Sequence, residues 1–225
     1  MTQVVVFAKS PIPGTVKTRL AATIGYEAAA RAHQAFIADT VAMIGSLDVR
    51  GVLAWAGDKD HVGFDCARQA GFDFVAQPEG DLGQRMFSLL QDRLEMGGPI
   101  LFVGTDSPTL PSQWIADAVA SLESSDVVVG PSFDGGYVLI GLNAPHHEPF
   151  REITWSTPRV FAETLARCRD SGLECAVLPF WYDVDDLNDL TFLRFHLDGL
   201  LCHTSGSSYS NTLELIRSLE AEGIF

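Results

Sequence analysis

Lys9, Lys17 and Arg19 fall within the first 19 residues of a chain whose formal net charge is −14, and no acidic residue precedes Glu27. They flank Ser10-Pro11-Ile12-Pro13-Gly14-Thr15-Val16, a loop stiffened by two prolines that follows the apolar run Val4–Ala8. A local positive field on an acidic protein calls for an anion, and the loop from a strand into a helix is where phosphates bind in α/β folds. A Walker A loop needs Gly directly before the Lys and another six residues before it; here those positions are Val16 and Pro11. A G-x-G-x-x-G dinucleotide fingerprint is also missing. Two readings remain: a phosphate loop with Lys17 and Arg19 as side-chain clamps, or a solvated surface loop.

Isolated carboxylates supply the complementary chemistry. Asp106, in Gly104-Thr105-Asp106-Ser107-Pro108, is the only charged residue between Met96 and Ala116. It follows the apolar run Ile100–Val103, and ligands of open α/β sheets sit beyond the carboxyl ends of the strands. A hard cation such as Mg²⁺ or Mn²⁺ takes carboxylate oxygens beside a phosphate; the alternative is a cap for the following helix. Asp134, in Ser132-Phe133-Asp134-Gly135-Gly136-Tyr137, is the only Asp, Glu, Lys or Arg between Val127 and His147. It reads either as a general base beside a Gly-rich approach to the backbone or as ordinary turn chemistry. In Asp183-Val184-Asp185-Asp186 the alternating acids point to one side of an extended segment. A second metal ligand there would complement Asp106, although acids at a helix start are also common. Gln77 and its neighbours through Arg85 form a loop able to read a base edge. His33 and His196 read as helix residues.

Alternating strand and helix patterns must position these groups. Gln3–Ala8, Gly51–Ala56, Phe72–Ala76, Ile100–Val103 and Asp126–Val129 read as strands. Helical patterns separate them at Glu27–Ile44, Val62–Ala70, Met86–Leu94 and Ile115–Leu122. The order predicts an α/β three-layer sandwich with a mostly parallel central sheet. The fourth strand is continuously apolar and is expected at the centre. Beyond it, a turn at Asp134-Gly135-Gly136 leads to a strand at Tyr137–Leu142, a helix at Pro158–Cys168 and a strand at Leu173–Leu178. A helix at Leu187–Leu197 follows. Gly199–Asn211 reads as a connector and Thr212–Glu222 as an amphipathic helix with Leu213, Ile216 and Leu219 inward. One domain over 1–225 is expected.

Composition sets the remaining bounds. A 47% hydrophobic content in 225 residues suits a large globular core. The acidic balance argues against nucleic acid or an anionic membrane as partner. No signal peptide or spanning segment is visible, and the scattered Cys66, Cys168, Cys175 and Cys202 read as reduced thiols in a cytoplasmic protein. Oligomeric state is not legible.

These pieces, in this order, resemble a known family. The run from Phe7 to Leu20, Gly80-Asp81-Leu82-Gly83-x-Arg85-Met86, Gly104–Pro108, Gly130-Pro131 with Asp134-Gly135-Gly136-Tyr137, Trp155-Ser156-Thr157, and Asp183-Val184-Asp185 are similar to a bacterial family with the GT-A, or nucleotide-diphospho-sugar transferase, fold. That family is described as glycosyltransferases associated with radical-SAM or selenodomain gene clusters and with arsenosugar synthesis. The likeness covers roughly residues 4–190. It implies a nucleotide lined by Ala8, Lys9, Pro13, Gly14, Lys17, Arg19, Gln77, Gly83, Arg85 and Thr105. It implies an acceptor near Gly135, Gly136, Tyr137 and Trp155, and Mg²⁺ or Mn²⁺ on Asp106 and Asp185. The final motif departs from the family's Asp-Thr-Pro-Glu-Asp-Leu, running Asp185-Asp186-Leu187-Asn188-Asp189-Leu190. The implied activity is glycosyl transfer from a nucleoside-diphosphate sugar to a small acceptor. The same architecture resembles nucleotidylyltransferases, which would move a nucleotidyl group from an NTP to a phosphate- or carboxylate-bearing acceptor. A catalytically silent nucleotide-binding module is the third possibility.

Overall fold

The computed structural model describes residues 1–201 and 209–225. Its seven strands are β1 (Gln3–Lys9), β2 (Arg50–Ala56), β3 (Asp73–Ala76), β4 (Ile100–Gly104), β5 (Val127–Pro131), β6 (Tyr137–Leu142) and β7 (Cys175–Val177). They form one sheet in the order β3-β2-β1-β4-β6-β5-β7. All pairings are parallel except those of β6, which runs antiparallel to β4 and β5. The expected α/β sandwich with a mostly parallel sheet is thus what the chain forms, and β4 is the fourth of its seven strands.

Among the described residues the α-helices are α1 (Thr18–Ile24), α2 (Tyr26–Gly45), α3 (Asp65–Gln69), α4 (Leu82–Leu94), α5 (Ser112–Ser121), α6 (Val160–Asp170), α7 (Leu187–Leu201) and α8 (Ser210–Ala221). One face of the sheet packs Val4, Val6 and Leu53 against Ile37 and Val41 of α2 and Ile115 of α5. The other packs Val5, Phe102 and Ile140 against Met86 and Leu90 of α4 and Cys168 of α6. Because β1 and β4 are covered on both sides, most of their residues are buried, the exceptions lying at the carboxyl ends.

A third cluster joins α1, α2, α7 and α8 outside this sandwich through Leu20, Phe36, Leu193 and Leu219. Its anchor is Asp39 of α2, 1% exposed. Its carboxylate accepts from Asn211 N, Asn211 Nδ2 and Thr212 N at 3.2, 2.8 and 2.8 Å. Asp39 therefore caps α8 from another helix, satisfying donors that α8 cannot satisfy itself.

Three sequence expectations shift. Residues 62–70 divide into a 3₁₀ turn at Val62–Phe64 and the short α3. The connector read over Gly199–Asn211 is narrower: Gly199 to Leu201 continue α7, and Ser210 and Asn211 open α8. Its middle, with Cys202, lies outside the described residues. In α8 the inward face is Leu215, Ile216 and Leu219, with Leu213 only partly buried. Cys66, Cys168 and Cys175 are free thiols.

Candidate active site

The parallel strands β1, β2 and β4 end on one edge. The β5–β6 turn reaches the same edge because β6 starts beside the end of β4, with Val103 opposite Leu139. Segment 181–186 is fastened there by backbone. Trp181 N donates to Pro131 O at 3.0 Å and Val184 N to Asp106 O at 2.9 Å. Ser107 Oγ donates to Tyr182 O at 2.8 Å. The Tyr182 hydroxyl lies 2.7 Å from Thr109 Oγ1 and 2.8 Å from His196 Nδ1. His196, read as a helix residue, thus braces the segment from α7.

Two hollows open on this edge. The first, about 470 Å³, lies between β1, β4, loop 15–19 and the start of α4. The second, about 540 Å³, lies between the β5–β6 turn, Trp155–Pro158 and segment 183–185. They share Arg19, Leu82, Asp106, Tyr137 and Asp185. The first is lined by four cations, Lys9, Lys17, Arg19 and Arg85, against two carboxylates, Asp106 and Asp185.

Lys17 stands at the junction. Its side chain is 4% exposed, and Nζ lies 2.6 Å from Asp106 Oδ1 and 3.1 Å from Asp185 Oδ1. It also donates to Val184 O at 2.6 Å. Burial alone would lower its pKa; the two carboxylates outweigh that and hold the ammonium above its ordinary value. For Asp106, desolvation at the base of the cleft pushes the pKa up, and Lys17 first, then His33 and Lys9, more than reverse it, so the carboxyl stays below its usual range. Lys17 also sits in the left-handed region at φ 46°, a conformation that costs a non-Gly residue energy and is held here by its three partners. It is therefore the internal counter-ion of the carboxylates, not a free clamp. Arg19, by contrast, is 76% exposed, with only a 3.5 Å contact to Asp185 Oδ2. Lys9 is also exposed at the mouth of the first hollow.

Asp106 Oδ1 and Asp185 Oδ1 thus converge on the Lys17 ammonium, which keeps the two carboxyl groups side by side. Among the described residues no group of three or more His, Cys, Asp or Glu is placed to hold a metal. A hard cation held jointly with substrate phosphates needs only one or two protein carboxylates, so Asp106 and Asp185 fit that role. The cap reading of Asp106 does not hold, because α5 starts at Ser112 and Pro111 occupies its N-cap. The helix start after Asp185 survives the departure from the family motif. Asp186 Oδ1 accepts from Asn188 N and Asp189 N, while Asp189 Oδ2 accepts from Asp185 N and Asp186 N.

Asp134 shapes the turn and also faces a hollow. Its Oδ1 accepts from Gly136 N at 2.8 Å and from Ser132 Oγ, which shapes the turn, yet the exposed side chain lines the second hollow. Gly135, at φ +89°, brings the turn so close to Pro158 that a Cβ would collide with the Pro158 carbonyl. Tyr137 and Trp155 form an aromatic wall, ring centroids 6.3 Å apart and nearly perpendicular. The Tyr137 hydroxyl is buried and burial raises its pKa.

Ala8 and Thr105 line the first hollow as expected. Gln77 lines it too, but its amide donates to Ala54 O at 2.9 Å, which leaves less of it for a base. Arg85 is anchored by Nε to Gly80 O at 2.8 Å. Pro13 and Gly14 are exposed formers of the loop, outside the lining; Gly14 supplies φ +83°. Gly83 is also outside it, packed under Trp155 and the Phe150 carbonyl, with 2.6 and 2.7 Å to a would-be Cβ. Gly83→Ala should therefore cost about 1–3 kcal/mol by overpacking, measured by denaturant unfolding.

Two residues take places at the site that the sequence reading did not give them. His33 of α2, 6% exposed, reaches the floor of the first hollow with Nε2 3.1 Å from Lys9 O, and burial lowers its pKa. Only packing of α2 on β1 brings it there, and no spacing signals it. Asp183 lines the second hollow; burial first, then Asp134, push its pKa up to about 6. Its alternation with Asp185 was the available signal.

The family model described as "Uncharacterized protein conserved in bacteria (DUF2064)" matches residues 38–157. A Desulfovibrio desulfuricans G20 protein, provisionally named a nucleotide-diphospho-sugar transferase, is 30% identical, with TM-score 0.84 over 98% of this chain and 95% of that one. A cytidylyltransferase from Leptospira borgpetersenii is 11% identical, with TM-score 0.58 over 99% and 94%. The 4-diphosphocytidyl-2C-methyl-D-erythritol synthase of Anaerococcus prevotii is 10% identical, with TM-score 0.58 over 88% and 98%. No curated protein matches the sequence. The fold is thus one shared with nucleotide-using transferases. Among the described residues no helix is long and apolar enough to cross a membrane.

Proposed function

The chain belongs to the DUF2064 family of proteins conserved in bacteria, and on that premise we propose that it is a metal-dependent transferase that takes a nucleotide donor, moving a glycosyl group from a nucleoside-diphosphate sugar to a small acceptor. The observation that carries this reading is the pair of hollows meeting at Asp106 and Asp185, the first of them rich in cations. The 30% identical relative with its provisional transferase name supports it.

In this reading the diphosphate lies in the first hollow against Arg19, Lys9 and Arg85. Asp106 and Asp185 would hold Mg²⁺ or Mn²⁺, which when bound would offset charge on the leaving diphosphate. Lys17 holds the two carboxylates side by side. The acceptor hydroxyl oxygen attacks the anomeric carbon, and the bond from that carbon to the diphosphate oxygen breaks with its electron pair going to the diphosphate. The hydroxyl proton passes to a carboxylate of the second hollow, Asp134, with Asp183 beside it. Arg19 meets the developing charge on the leaving group. The gene-cluster association implied by the resemblance, radical-SAM or selenodomain with arsenosugar synthesis, enters only as a guide to which acceptors to try.

A thermal-shift panel of NTPs and nucleotide sugars with Mg²⁺ or Mn²⁺, followed by product analysis, tests the reading. Release of a nucleoside diphosphate from a sugar nucleotide supports it. Pyrophosphate release from an NTP would replace it with nucleotidyl transfer, and absence of any nucleotide binding would remove both. Arg19→Ala should weaken binding of the stabilising nucleotide by ~10- to 100-fold, the value of one charge-assisted contact to phosphate. The loss should shrink at high salt, because Arg19 is exposed; calorimetry at two ionic strengths measures both.

A further inference from the structure

The two hollows differ in sign. The first sets four cations against two carboxylates. The second sets four carboxylates, Asp106, Asp134, Asp183 and Asp185, against one cation, Arg19. From this contrast and the rings beside it, we infer that the second hollow takes an acceptor with no anionic group: a hydroxyl-bearing molecule of the sugar or polyol class with an apolar face. The inference rests on the donor reading above, and goes beyond it by naming the acceptor's chemistry.

A divalent ion on Asp106 and Asp185 would offset those two charges and leave Asp134 and Asp183 facing the hollow. An acceptor phosphate or carboxylate would then meet both at close range in a partly desolvated space, where like charges repel strongly. Arg19 is the only cation in the lining, and the donor diphosphate has a claim on it; Lys17, behind the wall, is already committed to Asp106 and Asp185 and offers nothing to Asp134 or Asp183. The rest of the wall suits a neutral ring. Tyr137 and Trp155 present aromatic surface, and Ser132, Ser156 and Thr157 line the hollow with hydroxyl-bearing side chains. Polyols pair with such carboxylates and hydroxyls while laying C–H surface on aromatic rings. The contrast also weighs against the phosphate- or carboxylate-bearing acceptor that nucleotidyl transfer would need.

The test is ligand-observed NMR on the full-length protein with four matched probes: methyl glucoside, glucosamine, glucuronate and glucose 6-phosphate. Each is run with and without nucleoside diphosphate and Mg²⁺. The expected result is saturation transfer to methyl glucoside, reduced by Trp155→Ala, with glucuronate and glucose 6-phosphate at least tenfold weaker. In the Asp134→Asn/Asp183→Asn double variant that tenfold gap should close. Two results would overturn the inference: an anionic probe bound as tightly as methyl glucoside in the native protein, or no contact with methyl glucoside under either condition. Glucosamine binding as the only tight contact would also overturn it, in favour of a cationic acceptor. Failure of every nucleoside diphosphate to bind is read separately from the nucleotide-free runs and removes the donor reading alone.

Discussion

Asp106→Ala is expected to lower nucleoside-diphosphate release by ~10³-fold or more while leaving the fold intact. Phosphate-directed metal catalysis is worth several kcal/mol, and each 1.36 kcal/mol is about a factor of ten in rate. The fold should survive because the side chain is 47% exposed into the cleft. Lys17 keeps Asp185 and the Val184 carbonyl as partners, so the loss should be about 1 kcal/mol, or a melting shift of roughly 2–4 °C. Turnover and melting temperature measured on the same preparation decide. Near-native release would contradict the assignment of Asp106, and wholesale unfolding would make it a structural residue.

Lys17→Met should damage both properties. Its ammonium is buried at the point where two carboxylates and a carbonyl meet. Removing one partner of a buried pair leaves the other uncompensated and costs about 3–5 kcal/mol. Both carboxylates reach cleft water, so about 2–3 kcal/mol is expected, with release reduced by ~10²-fold as Asp106 and Asp185 drift apart. Lys17→Arg should not restore the rate, since a planar fork cannot replace a compact ammonium among three acceptors. Urea unfolding and steady-state rates on both variants check this. A Lys17→Met variant as stable and active as the native protein would show that the carboxylates need no counter-ion.

The sheet and its edge were legible because periodicity and strand order are local signals. The continuously apolar Ile100–Val103 implied a central strand, and it is one. The convergence of Lys17, Asp106 and Asp185 was visible only as three charged motifs at strand ends; that Lys17 bonds the carboxylates rather than facing solvent is tertiary geometry. His33 could not be found, since 24 residues of chain and a helix separate it from the Lys9 carbonyl it meets. Gly83 looked like a ligand-facing glycine, yet its missing Cβ makes room for Trp155. The charge contrast between the hollows needed the structure as well, because Asp134, Asp183 and Asp106 come from separate segments.

The most direct measurement is a crystal structure of the full chain with the stabilising nucleoside diphosphate and Mn²⁺, with anomalous diffraction collected to locate the ion. The account predicts a manganese peak within ligand distance of Asp106 and Asp185, with the diphosphate in the first hollow beside Arg19. Nucleotide density outside that hollow, or a manganese peak away from both carboxylates, would contradict it.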